Sequence, residues 1–147
     1  MRAVIQKVTS ASCTVDNKVV SSIDKGYMIL LGFTHTDTLE LIDKFIKKIV
    51  KLRIFEDENM KLNKSILDVN GSILLISQFT LYGDVKDGNR PSFTEAMKYD
   101  IASNYYDIFS EKLNEFVPTK KGIFGADMKI ALVNDGPVTI IIDSDKI

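Results

Sequence analysis

Two unbroken apolar runs constrain this chain more than any other feature in it. Tyr27-Met28-Ile29-Leu30-Leu31-Gly32-Phe33 and Ser72-Ile73-Leu74-Leu75-Ile76-Ser77 show none of the polar alternation of a half-exposed strand. A strand apolar on both sides is buried on both sides, so each run predicts a central strand covered above and below. Around them the pattern changes. Residues 2–8 alternate, with Ala3, Ile5 and Lys7 on one face and Val4, Gln6 and Val8 on the other, and extended character continues from Ser12 to Val15. Asp16-Asn17-Lys18 then reads as a turn, with Val19 to Ile23 returning as the second arm of a hairpin. Lys25-Gly26 is a second turn.

Two segments have helical spacing. Leu39, Ile42, Phe45, Ile46, Ile49 and Val50 form one apolar stripe, with Asp37 as the expected N-cap and Glu40 completing a capping-box pattern. Tyr99 to Phe116 forms the other, with Ile101, Tyr105, Ile108, Phe109, Leu113 and Phe116 expected on the apolar side and Pro118 helping to end it. Arg53-Ile54-Phe55 reads as a short strand, and Glu56 to Gly71 as a long polar loop with local pairing. The expected architecture is α+β: a single compact domain over 1–147, with mixed, mainly antiparallel sheets packed by two main helices.

The stretch Lys129 to Ile142 is ambiguous. Two apolar runs, Lys129–Val133 and Val138–Ile142, flank Asn134-Asp135-Gly136-Pro137. Such residues tolerate positive φ, and Pro is accepted at the start of a strand, so a hairpin turn between two last strands is the simple reading. The sharper reading makes Gly136-Pro137 a functional clamp. Glycine permits close backbone approach, and X-Pro is the bond type that can be cis.

The inventory narrows the chemistry. The 147 residues include one His, one Cys and no Trp. A catalytic zinc site normally takes several His or Cys ligands, so no metal and no cofactor is expected. His35 lies in a loop before the first helix and reads as a surface residue rather than a catalytic base. Cys13, in a strand-like run, reads as a small core residue. A single Cys and a short, polar N-terminus without signal-peptide character point to a reducing, cytoplasmic setting. No run reaches the length of a membrane span, so no membrane partner is expected. The formal net charge is −1, which argues against general nucleic-acid affinity. The richest basic group, Lys44, Lys47, Lys48, Lys51 and Arg53, reads as a solvated helix face. Finally, the second buried strand ends abruptly in Ser77-Gln78-Phe79-Thr80, where polar groups leaving a sheet either satisfy backbone groups or line a site.

Several segments together closely resemble the D-aminoacyl-tRNA deacylase family. They are Ser77-Gln78-Phe79-Thr80-Leu81, Gly88-Asn89-Arg90-Pro91-Ser92-Phe93, Phe124-Gly125-Ala126-Asp127-Met128 and Asn134-Asp135-Gly136-Pro137-Val138-Thr139, with Met1 to Val8 and Leu31-Gly32 also matching. The set is in order over nearly the whole chain. The resemblance implies a homodimeric hydrolase that cleaves D-amino acids from the 3′-terminal adenosine of tRNA, and glycine from alanine tRNA. It implies a cis Gly136-Pro137 inserted into the partner's site as a chiral filter, with Asn134 in the same substrate-binding segment. Ser77, Gln78, Phe79 and Thr80 would line the reaction centre, and Phe124 and Met128 the adenosine pocket. Lys7 departs from the family's usual Arg; it keeps the charge but loses the planar fork. Two other readings stay open on the same residues. One is a non-catalytic dimeric nucleic-acid-associated module. The other is a generic esterase using Ser77 or Thr80, for which no nucleophile elbow is present.

Overall fold

The computed structural model describes residues 1–147. Strand β1 runs from Arg2 to Val15, β2 from Lys18 to Ile23, and β3 from Gly26 to Gly32. Helix α1 covers Leu39–Val50, followed by the short β4 (Phe55–Glu56) and β5 (Leu62–Lys64). Strand β6 is Ser72–Ser77, a 3-10 turn spans Phe79–Tyr82, and α2 covers Tyr99–Asn114. Strands β7 (Thr119–Lys121) and β8 (Lys129–Asp143) complete the chain. The main sheet has six strands in the order β2-β1-β3-β6-β7, with β8 along the free side of β1, while β4 and β5 pair separately. Pairings of β1 with β2, β3 and β8 are antiparallel; β3–β6 and β6–β7 are parallel. The architecture is the expected α+β single domain with a mixed, mainly antiparallel sheet and two helices.

The two apolar runs take the central positions as β3 and β6. Tyr27, Ile29, Leu31, Ile73 and Leu75 face the helices in one core, with Phe45, Ile49, Phe109 and Leu113. Met28, Leu74 and Ile76 face the opposite side in a second core, with Ala11, Cys13 and Ile23. That second core exists because β1 is bent. Its register with β8 shifts between Gln6 and Val8 and again between Val8 and Ser10. Bulges of this kind increase bending and twist. The far half of β1, with β2, thereby curls over the face that the helices leave open. Cys13 is buried there, as expected of a core residue.

Four expectations need correction. Residues 129–143 form one continuous strand, not a hairpin. The long β1 offers pairing partners on both sides of the interruption, so Gly136-Pro137 is accommodated as a bulge opposite Lys7 instead of reversing the chain. The N-cap of α1 is Thr38. Asp37 is drawn away by the Met1 α-amine, and its other oxygen accepts from the Thr34 N–H at 2.8 Å. Leu39, expected in the buried stripe, is 44% exposed; the buried face of α1 starts at Ile42. In α2 the buried face is Ala102, Tyr106, Phe109, Ser110 and Leu113, while Ile101 and Phe116 are about half exposed. The Tyr106 hydroxyl donates to the Leu75 carbonyl at 2.7 Å, which sets a rotation that hydrophobicity alone misplaces. The Asp16-Asn17 turn, with both residues at positive φ, and His35 in an exposed loop match expectation.

Candidate functional site

At the C-terminal ends of β3 and β6 lies a cavity of about 580 Å³, lined mainly by apolar side chains. The two parallel strands finish side by side there, and the chain leaves each into a loop. Ser77, Gln78 and Phe79 enter the cavity from the end of β6, and Leu31, Gly32 and Phe33 from the end of β3. Close approach demands glycine at position 32, where a Cβ would stand 2.8 Å from the Gln78 carbonyl oxygen. The Gln78 N–H donates to the Leu31 carbonyl at 2.8 Å, so the polar exit of β6 is anchored on β3.

Aromatic pairs shape the rim. Phe79 and Phe93 pack edge to face at 5.0 Å, as do Tyr99 and Phe124 at 5.0 Å. Phe124 also leans on Tyr106 at 5.7 Å. Gly125 holds φ +77°, and a Cβ there would meet the Tyr99 hydroxyl at 2.4 Å, so the loop can cover this ring only with glycine. Met128 and Ile130 close the side formed by the curled half of the sheet.

Thr80 sits at the mouth, exposed, with its hydroxyl accepting from Gln78 Nε2. The N–H groups of Phe79 and Thr80, at the start of the 3-10 turn, have no intrahelical acceptor and go to no turn or loop carbonyl. Arg2 steadies this turn. Its Nη1 donates to the Leu81 carbonyl at 3.0 Å, its Nε to Asp143 at 2.8 Å, and its guanidinium lies 4.6 Å over the Tyr82 ring. The hydrogen bond with Asp143 raises the Arg2 pKa further. Burial pushes the Tyr82 phenol well above its ordinary value. No three His, Cys, Asp or Glu side chains are arranged to hold a metal ion.

The structure therefore gathers Ser77, Gln78, Phe79, Phe124 and Met128 around one cavity, with Thr80 at its edge. It does not bring Asn134, Gly136 or Pro137 to that cavity. The Gly136-Pro137 bond is cis and exposed on β8. Asn134 braces the bulge, accepting from the Val138 N–H at 2.7 Å and donating to Thr139 at 3.1 Å. Lys7, fully buried beneath the bulge, places its ammonium 2.8 Å from both Glu56 oxygens and 3.9 Å from Asp135. Its charge is fixed on Glu56, so its hydrogen bonds do not go to the Gly-Pro segment. Sequence reasoning missed Tyr99, Met97 and Ala102 as lining residues. No local signal marks them, because their side chains reach the cavity through the way α2 packs on the sheet.

Fold and site together define a single-domain α+β protein. An apolar-lined cavity opens where two parallel strands end, ringed by aromatics and served by a polar strand exit. A family model for D-Tyr-tRNA(Tyr) deacylase matches residues 4–143, and the chain belongs to that family. Among solved structures, it is similar to a c-Myc DNA Unwinding Element Binding Protein, with 42% identity and a TM-score of 0.92 over 97% of this chain and 98% of that one. A probable eukaryotic D-amino acid tRNA deacylase shares the fold at 19% identity, with a TM-score of 0.82 over 96% and 97% of the two chains.

Proposed function

We propose that this protein hydrolyses the ester between a D-amino acid, or glycine, and the 3′-terminal adenosine of tRNA. The observation that carries the reading is the convergence of Ser77, Gln78 and Phe79 with Phe124 and Met128 on one cavity in a chain of the deacylase family, with Thr80 hydrogen-bonded to Gln78 beside it. The aromatic rim suits the flat face of adenine, which stacks on such rings. The free N–H groups of Phe79 and Thr80 are the donors this reading gives to a developing oxyanion. An aminoacyl ester is already activated and carries its own vicinal 2′-hydroxyl. The protein's part is to orient ester and water, with the 2′-hydroxyl assisting proton movement. Thr80 as nucleophile is the rival step; the only group on its hydroxyl is the Gln78 amide, which is no base.

The filter against L-amino acids is assigned to Gly136-Pro137 of a second copy. Within one chain the motif lies level with Lys7, which pairs with Tyr27, whereas the cavity begins at Leu31-Gly32. That separation is about 15 Å along β3 and about 10 Å across two strand spacings. A homodimer that lays the motif on the partner's cavity completes the site. Backbone atoms make a rigid obstruction that an L side chain meets, while hydrogen on glycine does not.

The test is deacylation of paired D- and L-aminoacyl-tRNA and glycyl-tRNA by the wild type and by Thr80→Ala. Loss of the D and glycyl esters with the L ester intact is expected, and Thr80→Ala retains substantial single-turnover activity. Near-complete loss in a folded, tRNA-binding Thr80→Ala would count against substrate assistance. Absence of any turnover by wild type would leave the second reading, a nucleic-acid-associated module, which the name of the 42%-identical neighbour favours.

A further inference from the structure

The basic residues of α1 form a single stripe. Lys44, Lys47, Lys48 and Lys51 are spaced i, i+3, i+4 and i+7, and Arg53 follows directly; all five are exposed. With Leu52 and Ile147 they line a shallow concavity of their own. Elsewhere Lys64, Lys112, Lys121 and Lys129 pair with Glu58, Asp43, Asp107 and Asp127, while others, among them Lys18, Lys61, Lys86 and Lys146, are exposed without a carboxylate partner. None of the five in the stripe pairs with an Asp or Glu; Lys44 donates to the terminal oxygen of Ile147 at 2.7 Å and Arg53 to the Asn63 carbonyl at 2.8 Å. Setting these five cations aside, a chain of net charge −1 carries −6 elsewhere. A concentrated, unneutralised cationic strip on an otherwise acidic body attracts a polyanion to one place.

The position of the stripe identifies the polyanion. Within one chain it is remote from the cavity, because α1 starts near the end of β3 and runs back about 18 Å along the sheet. It does share an end of the molecule with Gly136-Pro137. Just past Lys51, the Leu52 carbonyl accepts from the Tyr27 hydroxyl, and Phe55 stacks on the Tyr27 ring at 5.3 Å. Glu56 binds Lys7, and Lys7 lies beside Asp135 at the motif. An assembly that places one chain's Gly136-Pro137 on its partner's cavity therefore turns toward that cavity the end of the chain at which α1, and with it the stripe, finishes.

We infer that the stripe of each subunit binds acceptor-stem phosphates of the tRNA whose 3′ end occupies the partner's cavity. This rests on the deacylase and dimer readings above. It assigns tRNA capture and hydrolysis to different subunits of the same site. Lysine contacts to phosphates position the substrate without reading its sequence, so the stripe serves many tRNAs alike.

The experiment compares wild type with Lys47→Gln/Lys48→Gln/Lys51→Gln on D-aminoacyl-tRNA and on D-aminoacyl-adenosine, which lacks the stem. The variant is expected to raise KM for the tRNA substrate on the order of tenfold and to lower the slope of log K against log salt by about 2. Hydrolysis of D-aminoacyl-adenosine stays at the wild-type rate, and that rate in wild type separately tests the deacylase reading. A mixed dimer then pairs the triple-lysine chain with an Ala126→Trp chain whose cavity is filled. Its one open cavity is served by intact lysines from the partner, so a wild-type KM is expected. A raised KM in the mixed dimer would overturn binding in trans. An unchanged KM in the triple variant, equal losses on both substrates, or competition by duplex DNA as strong as by tRNA would overturn the assignment altogether.

Discussion

At the scale of single residues, the least ordinary group is Lys7, an ammonium with no exposure held by Glu56 beneath the Gly-Pro bulge. An unpaired buried charge is costly, so its partner is structurally constrained. The Lys7 hydrogen bond, followed by the N–H of Glu56 itself, holds the Glu56 carboxyl below the usual carboxylate range. A carboxyl depressed in the folded state stabilises the fold at pH above its unfolded value, about 4.3, and loses that effect as pH falls through the folded value. Glu56→Gln should thus lower the thermal midpoint at pH 7, and the gap to wild type should narrow below about pH 4, where wild type also protonates. Thermal melts across pH 3 to 8 check this. A constant gap would show that Glu56 acts through packing and not through charge.

At the scale of elements, the contact of β3 with β6 decides whether the cavity exists, since both walls begin at their ends. The two strands start with Gly26 pressed on Ser72; a Cβ at position 26 would lie 1.7 Å from the Ser72 carbonyl oxygen. That oxygen belongs to the backbone and has nowhere to go. Gly26→Ala is expected to prevent formation of the β3–β6 pair, giving a chain without a cooperative melt. Gly88→Ala, where a Cβ would meet nothing within 4 Å, serves as a control for handling and expression, though its positive φ carries a small strain. Equal stability of the Gly26 variant and wild type by circular dichroism would contradict the close approach. The strands and helices were largely legible because period and composition are local properties. The rotation of α2 was not, since it depends on the hydroxyl of Tyr106 reaching Leu75 across the core.

At the scale of the molecule, β8 is an edge strand of 15 residues with one side unpaired and with Val133 and Ile141 exposed at 56% and 71%. Long apolar edges on isolated chains invite pairing, and natural proteins cover them. Under the proposed assembly this strand meets the second copy around Gly136-Pro137. Val133→Asp/Ile141→Asp should shift sedimentation toward monomer and abolish D-aminoacyl-tRNA hydrolysis while leaving far-UV circular dichroism unchanged. A double variant that stays dimeric would move the interface to another face.

What the sequence determined by itself was the two helices, most of the strands, and the burial of β3 and β6. Those follow from the order of side chains along a few neighbouring turns or strand residues. The polar exit Ser77 to Thr80 was visible because a buried strand stopped abruptly. Tertiary structure alone decided that 129–143 is one strand, because only a β1 of 14 residues could pair with both halves of it. It alone decided that Tyr99, Met97 and Ala102 share a cavity with Phe124, since helix entry angles are set by packing against distant residues. And it alone put Gly136-Pro137 at the opposite end from Ser77-Gln78, a separation that arises from the direction of strands and is invisible in a list of motifs.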